Sequence, residues 1–253
     1  VLAPDGRTAY VAERNAGMIL SYEVAANGTL SALSEPVPTG GQVPFGITIT
    51  PDGRALYVAN IDSGTVSAFA IKDDGTLTLL GDPVRTGSAS PRGLAVTPDG
   101  RFLYVSHGRP LADATDILER FTIGTDGTLS GQRTVATTGG AGTGMGITPN
   151  GEFLYIVATT TDEVFGYRIE ADGGLTAAPG SPYPVADHPE GVAMSPDGRT
   201  LFVASPSQVR PDTVHALSSF TIGQNGSLEP VAGSPFVAGN GPVGIQVAPD
   251  GRY

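Results

Sequence analysis

Phe45-Gly46-Ile47-Thr48-Ile49-Thr50-Pro51-Asp52-Gly53-Arg54-Ala55-Leu56-Tyr57-Val58-Ala59-Asn60 reads as two short runs of alternating apolar residues joined by Pro-Asp-Gly-Arg. Such runs, rich in Val, Ile, Tyr and Thr at period two, are strands. Between them, Asp-Gly makes a tight reversal: Gly takes a positive φ without a Cβ clash, and the Asp side chain bonds the local backbone. The proline cannot donate to a strand ladder and so marks the end of the first run. Downstream, Thr65-Val66-Ser67-Ala68-Phe69-Ala70-Ile71 forms a third run. Asp73-Asp74-Gly75-Thr76-Leu77 then turns the chain into a weaker fourth segment near Thr78-Leu79-Leu80.

The same phrase begins at Pro4, Pro51, Pro98, Pro149 (as Pro-Asn-Gly-Glu), Pro196 and Pro249, at intervals of 47, 47, 51, 47 and 53 residues. A period that long is one supersecondary unit repeated. Four strands per unit is one blade of a β-propeller, so the chain is read as all-β, a single domain over residues 1–253 with five blades' worth of four-stranded antiparallel sheet. The absence of Trp removes the WD signature, and 36 Gly with 21 Pro fit a turn-dense fold because 40% of residues are still hydrophobic. The motif stands near both ends of the chain, which a closed five-blade ring would not need. The expectation is therefore a piece of a longer propeller, with a five-blade ring with ragged ends as the rival.

The repeats differ in two places. From the second-strand aromatic to the third-strand aromatic the spacing is 12, 12, 17, 12 and 18 residues, so two loops are long: Ser106 to Asp116 and Ser205 to His215. Loops on a rigid scaffold are where binding residues concentrate, and His107, Arg210 and His215 lie here. The second place is the residue ahead of a first-strand glycine, read as Phe45, Arg92, Met145, Glu190 and Val243. First strands line a propeller's channel, so this register is expected to ring its mouth as a pocket with few polar groups in an apolar lining. Asp187-His188-Pro189-Glu190 is the sharpest local constellation. If the backbone is extended there, His188 and Glu190 share a face and can act as general base and orienter, or bind a metal.

A net charge of −11 argues against nucleic acid or an anionic membrane as partner, and no apolar run is long enough to span a bilayer. Zero cysteines exclude disulfides, thiolate metal sites and a cysteine nucleophile; this suits the cytoplasm, the default expectation, as well as a secreted or periplasmic setting. Gly139-Gly140-Ala141-Gly142-Thr143-Gly144 enters a strand rather than a helix and is no phosphate loop. The Asp-Gly hairpins lack the later Glu of a calcium loop, and no Gly-x-Ser-x-Gly elbow occurs. No cofactor or metal is expected.

Pro91-Arg92-Gly93-Leu94-Ala95-Val96-Thr97-Pro98-Asp99-Gly100-Arg101-Phe102-Leu103-Tyr104-Val105-Ser106, followed by Asp126-Gly127-Thr128-Leu129, resembles the lactonase-type seven-bladed propellers, which include bacterial 6-phosphogluconolactonases and carboxymuconate-lactonizing enzymes. Tyr57-Val58-Ala59-Asn60 also resembles the Tyr-Val-Thr-Asn repeats of surface-layer propellers. The resemblance implies a seven-bladed ring and a lactone or sugar-acid substrate hydrolysed at the channel mouth. Arg92, with His188 and Glu190, would be catalytic, and Phe45, Asn60, His107, Met145 and Arg210 would bind substrate. Family members typically carry Arg-His where this chain has Arg92-Gly93, and Asn-Glu where it has Asn60-Ile61, so both signatures are incomplete. Two rival readings remain open: a non-catalytic propeller that binds a protein or small molecule through its long loops, and a channel metal site using Glu190 and Asn60.

Overall fold

The Pro-Asp-Gly turn is held by the hydroxyl of the residue ahead of its proline. In the computed structural model, which describes residues 1–108, 116–206, 215–248 and 250–251, Thr50 Oγ1 donates to Asp52 Oδ1 at 2.6 Å and accepts from the Ala55 amide at 3.0 Å. The Arg54 amide donates to the same Asp52 oxygen at 3.1 Å, and Gly53 takes a φ of 72°. Thr97 with Asp99 and Ser195 with Asp197 repeat the pattern. So does Thr148 with Asn150: an amide oxygen accepts as a carboxylate oxygen does, which is why Pro-Asn-Gly serves at that turn. Bonding to the Thr50 hydroxyl holds the Asp52 carboxyl below the usual carboxylate range, and the Ser195 hydroxyl does the same for Asp197.

The turns at Pro51, Pro98, Pro149 and Pro196 each join the first two strands of an antiparallel sheet, and there are five sheets among the described residues. The chain divides into two compact units, Val1–Arg109 with Leu118–Thr134, and Pro110–Ile117 with Val135–Tyr253. In the first unit, one sheet has strands Thr8–Glu13, Met18–Val24 and Leu30–Ala32, and the next has Pro44–Ile49, Ala55–Asn60, Thr65–Ile71 and Leu77–Leu79. A third orders Pro91–Val96, Phe102–His107, Ile117–Ile123 and Leu129–Thr137. In the second unit, Gly142–Ile147, Phe153–Ala158, Glu163–Ile169 and Leu175–Ala177 form one sheet, and Gly191–Met194, Thr200–Ser205, Ala216–Ile222 and Leu228–Pro230 another.

The weak fourth segment is a strand broken in two. After Leu77–Leu79 the chain leaves the third strand and rejoins it at Val84–Arg85. Val37–Pro38, Tyr183–Pro184 and Phe236–Val237 do the same in their sheets. A proline (Pro36, Pro83, Pro182, Pro235) stands at each break and withholds the amide a ladder needs. The third repeat has Gln132-Arg133-Thr134 in place of that proline, and Leu129–Thr137 runs through unbroken.

The second strands Ala55–Asn60, Phe102–His107 and Phe153–Ala158 are buried throughout, on both faces. Alternate residues therefore enter different cores. Leu56 and Val58 pack with Tyr10, Ile19, Phe69 and Leu77, while Ala55 and Tyr57 pack with Leu103, Val105, Phe121 and Leu129. In the second unit Phe153, Tyr155 and Val157 meet Leu201, Val203 and Phe220.

Within these cores a tyrosine hydroxyl reaches the third-to-fourth-strand hairpin of the following sheet. Tyr10 donates to the Gly75 carbonyl at 2.7 Å, Tyr57 to Gly127 at 2.9 Å and Tyr155 to Gly226 at 2.8 Å. All three rings are fully buried. Burial pushes the Tyr10 phenol up to about 12 and raises Tyr57 and Tyr155 as well; Tyr167 is likewise pushed up to about 12.

Tyr57→Phe removes a donor and strands the Gly127 carbonyl, so urea denaturation is expected to show a loss of about 1–2 kcal/mol with little change in slope. An unchanged midpoint would mean the hydroxyl contributes nothing. The raised phenols also set an alkaline limit. An unfolded tyrosine ionises near pH ~10, so stability is intact below that and falls as pH climbs towards the folded values. Absorbance at 295 nm should show a subset of the 8 tyrosines ionising only as the far-UV circular dichroism collapses. Full ionisation with the dichroism intact would contradict this.

Candidate functional site

First strands are entered through one backbone device. Val43, Ser90 and His188 take left-handed φ values of 57°, 61° and 58°, and Gly241 takes 68° at the same place. Each precedes a proline, which precedes the variable residue: Phe45, Arg92, Glu190 and Val243. For a β-branched residue such as Val43 this conformation is strained. It is held by pairing: the Val43 carbonyl accepts from the Ile61 amide at 3.0 Å, and that of Ser90 from Gly108 at 3.1 Å.

The strand then bulges. Pro44 pairs with Asn60 but Ile47 with Val58; Pro91 pairs with His107 but Leu94 with Val105; Gly142 pairs with Ala158 but Met145 with Ile156. One extra residue is accommodated each time, and such a bulge re-aims the side chains within it. The glycine after the variable residue is required because neighbouring first strands touch there. A Cβ on Gly46 would stand 1.9 Å from the Arg92 carbonyl oxygen, and one on Gly144 would stand 2.2 Å from that of Glu190.

The glycine contacts correct one expectation. Gly144, not Gly146, is the equivalent of Gly46, so Thr143 holds the variable position. Met145 sits two residues further on, at the register of Ile47 and Leu94. The constant spacing of five residues from this glycine to the turn proline (46 to 51, 93 to 98, 191 to 196) carried that signal in the sequence.

In the first unit the Arg92 guanidinium lies over the Phe45 ring, 5.0 Å from its centroid, in cation–π contact. Phe45 is 47% exposed, and the Arg92 stem packs against Gly108, where a Cβ would stand 2.1 Å from Arg92 Cδ. The sequence reading thus brings Arg92 and Phe45 together. Asn60 is different. It is fully buried, its amide donates to Ser67 Oγ at 2.8 Å and Thr65 Oγ1 at 3.1 Å, and a Cβ on Gly41 would stand 2.4 Å from its Cγ. Its amide nitrogen is thus engaged within the sheet rather than presented to solvent. His107 is also buried, 1% exposed, and faces Glu119.

In the second unit His188 Nε2 lies 3.5 Å from Glu190 Oε1, with both side chains a little over a quarter exposed. They meet although His188 is left-handed rather than extended; the turn through Pro189 brings the ring back. The His188 amide donates to Asp162 Oδ1 at 2.7 Å. Thr159 Oγ1 donates to the Pro189 carbonyl at 3.0 Å, Thr143 Oγ1 to that of Glu190 at 3.4 Å, and the two hydroxyls lie 3.1 Å apart. The backbone beneath the His–Glu pair is therefore tied down from two neighbouring strands.

Arg210 lies outside the described residues, as does most of both long loops. Among the described residues no three His, Asp or Glu side chains gather as a metal cluster. A groove of about 630 Å³ lies at the other end of the first unit's strands, lined by Asp52, Arg54, Asp99, Arg101 and Asp126. Asp73 also lines it, and the carboxylates of Asp52, Asp99 and Asp126 are engaged in turn hydrogen bonds.

A family model described as lactonase, seven-bladed β-propeller, matches residues 1–92 and 85–186. Among solved structures, a 6-phosphogluconolactonase candidate from Bacteroides fragilis is 21% identical, with a TM-score of 0.81, over 100% of this chain and 74% of its own. A periplasmic gluconolactonase from Pseudomonas aeruginosa is 22% identical, with a TM-score of 0.69, over 94% of this chain and 72% of its own. Hydrazine synthase from Kuenenia stuttgartiensis is 18% identical, with a TM-score of 0.55, over 99% of this chain and 89% of its own. No curated protein matches the sequence. Likeness at these identities carries the β-propeller fold, and the family model carries the rest: this chain belongs to the lactonase family of seven-bladed β-propellers.

Proposed function

We propose that the protein hydrolyses a lactone of a sugar acid. The observation that carries the reading is the His188–Glu190 pair, 3.5 Å apart and partly exposed at a first-strand entry, in a chain of the lactonase family. A carboxylate beside an imidazole can take a proton from water as the water oxygen attacks the lactone carbonyl carbon. A tetrahedral oxyanion forms, the ring C–O bond breaks, and the proton passes to the departing ring oxygen, leaving a hydroxy acid. Arg92 occupies the matching position of another first strand and is the group suited to an anion. It would hold a phosphate or carboxylate through charge-assisted hydrogen bonds, with Phe45 beneath the guanidinium. The substrate is thus a small anionic molecule, and neither metal nor cofactor is needed for these steps.

Turnover of 6-phosphogluconolactone, measured against its spontaneous hydrolysis, tests the reading. Glu190→Gln is expected to lower kcat about 10²–10⁴-fold. Arg92→Ala is expected to raise KM about tenfold to a hundredfold, the loss of a hydrogen bond to a charged group. Wild-type turnover no faster than the background, or variants as fast as wild type, would refute it.

A further inference from the structure

His107 and Glu119 form a buried pair, 1% and 0% exposed, at the end of the second strand and the facing part of the third strand. His107 Nε2 lies 3.3 Å from Glu119 Oε2. The other carboxylate oxygen accepts from the Gly87 amide at 2.7 Å and from Gln132 Nε2 at 2.7 Å. The second ring nitrogen, Nδ1, lies 3.0 Å from the Ala89 carbonyl. A charged or charge-sharing pair buried this fully is costly unless each atom is matched, and here each is.

The previous sheet shows what this pair replaces. Asn60 holds the register of His107, opposite a proline, and Ser67 holds that of Glu119. There the carbonyl two residues before Pro44, that of Gln42, is fixed by a backbone donor, the Asp62 amide, at 3.3 Å. The equivalent carbonyl ahead of Pro91 is that of Ala89, and it takes the His107 ring. Immediately beyond it come left-handed Ser90, Pro91 and Arg92. Two more bonds bracket Arg92: the Gly108 amide to the Ser90 carbonyl and the Gly93 amide to Ser106 Oγ, both 3.1 Å. Gly108, against which the Arg92 stem packs, follows His107 directly in the chain.

We infer that the His107–Glu119 pair is a positioning device for Arg92. Glu119 orients the imidazole, the imidazole fixes the Ala89 carbonyl, and the fixed backbone presents the guanidinium over Phe45. This deepens the anion-binding half of the lactonase reading, and it makes a claim of its own about the backbone.

The test compares wild type with H107A/E119Q and with H107N/E119Q. Glu119→Gln avoids stranding a buried carboxylate, and an Asn amide places a donor near where Nδ1 stands, so the Asn variant should rescue what Ala loses. Calorimetric binding of inorganic phosphate and 6-phosphogluconate is expected to weaken about tenfold in H107A/E119Q and to recover in H107N/E119Q. In an Arg92→Ala background the same changes should cost nothing further. Losses that add to that of Arg92→Ala overturn the inference. If neither anion binds wild type, the lactonase reading falls, and amide exchange decides the inference alone: Gly108 and Gly93 should exchange at least tenfold faster in H107A/E119Q and regain protection in H107N/E119Q. Exchange unchanged from wild type, or unrecovered with Asn, overturns it.

Discussion

A tyrosine hydroxyl bonded to a glycine carbonyl about seventy residues further along is the contact on which the packing of successive sheets depends. Apolar burial between sheets is strong but has no direction. Tyr10, Tyr57 and Tyr155 add direction, because each has one acceptor at one distance in the next hairpin. Sliding one sheet against its neighbour would bury an unpaired phenol and an unpaired carbonyl together, a cost comparable to a sizeable part of a domain's net stability. The hairpin glycine thus serves two masters: it makes the turn, and it offers its carbonyl to the preceding sheet.

The repeat unit was legible because its turns are chemically loud. Proline, Asp or Asn, and glycine each solve a backbone problem that few other residues solve. The hydroxyl of Thr50, Thr97, Thr148 and Ser195 was just as regular but quieter, since Thr is also a good strand residue. The broken fourth strand was written in the prolines at 36, 83, 182 and 235, and the unbroken one in the lack of such a proline in the third repeat. The buried faces of the second strands were harder to read. With both sides covered there is no polar alternation to separate Asn60 or His107 from an exposed ligand.

At the candidate site, Phe45 and Arg92 were placed in one register by the glycine that follows each, and His188 with Glu190 by the two-residue alternation of a strand. Misplacing Met145 came from counting to the wrong glycine in a glycine-dense segment. The left-handed backbone at Val43, Ser90 and His188 left no composition signal, because the pairing that pays for it is made by residues from another strand. Glu119 escaped notice for a related reason: a carboxylate in a strand of the pattern Ile117-Leu118-Glu119-Arg120-Phe121 looks like an outward position, and the partners that make its burial tolerable, His107, Gln132 and the Gly87 amide, all come from other segments.

The bulged entry separates two demands that most sites must satisfy at once. Its conformation is set by the residues on either side, the left-handed residue with its proline before and the glycine after, and not by the residue it carries. Aromatic and cationic side chains occupy it here, at Phe45 and Arg92, on the same local backbone of left-handed residue, proline and bulge. The side chain presented at such an entry can therefore differ from blade to blade while the residues that shape the backbone beneath it stay the same.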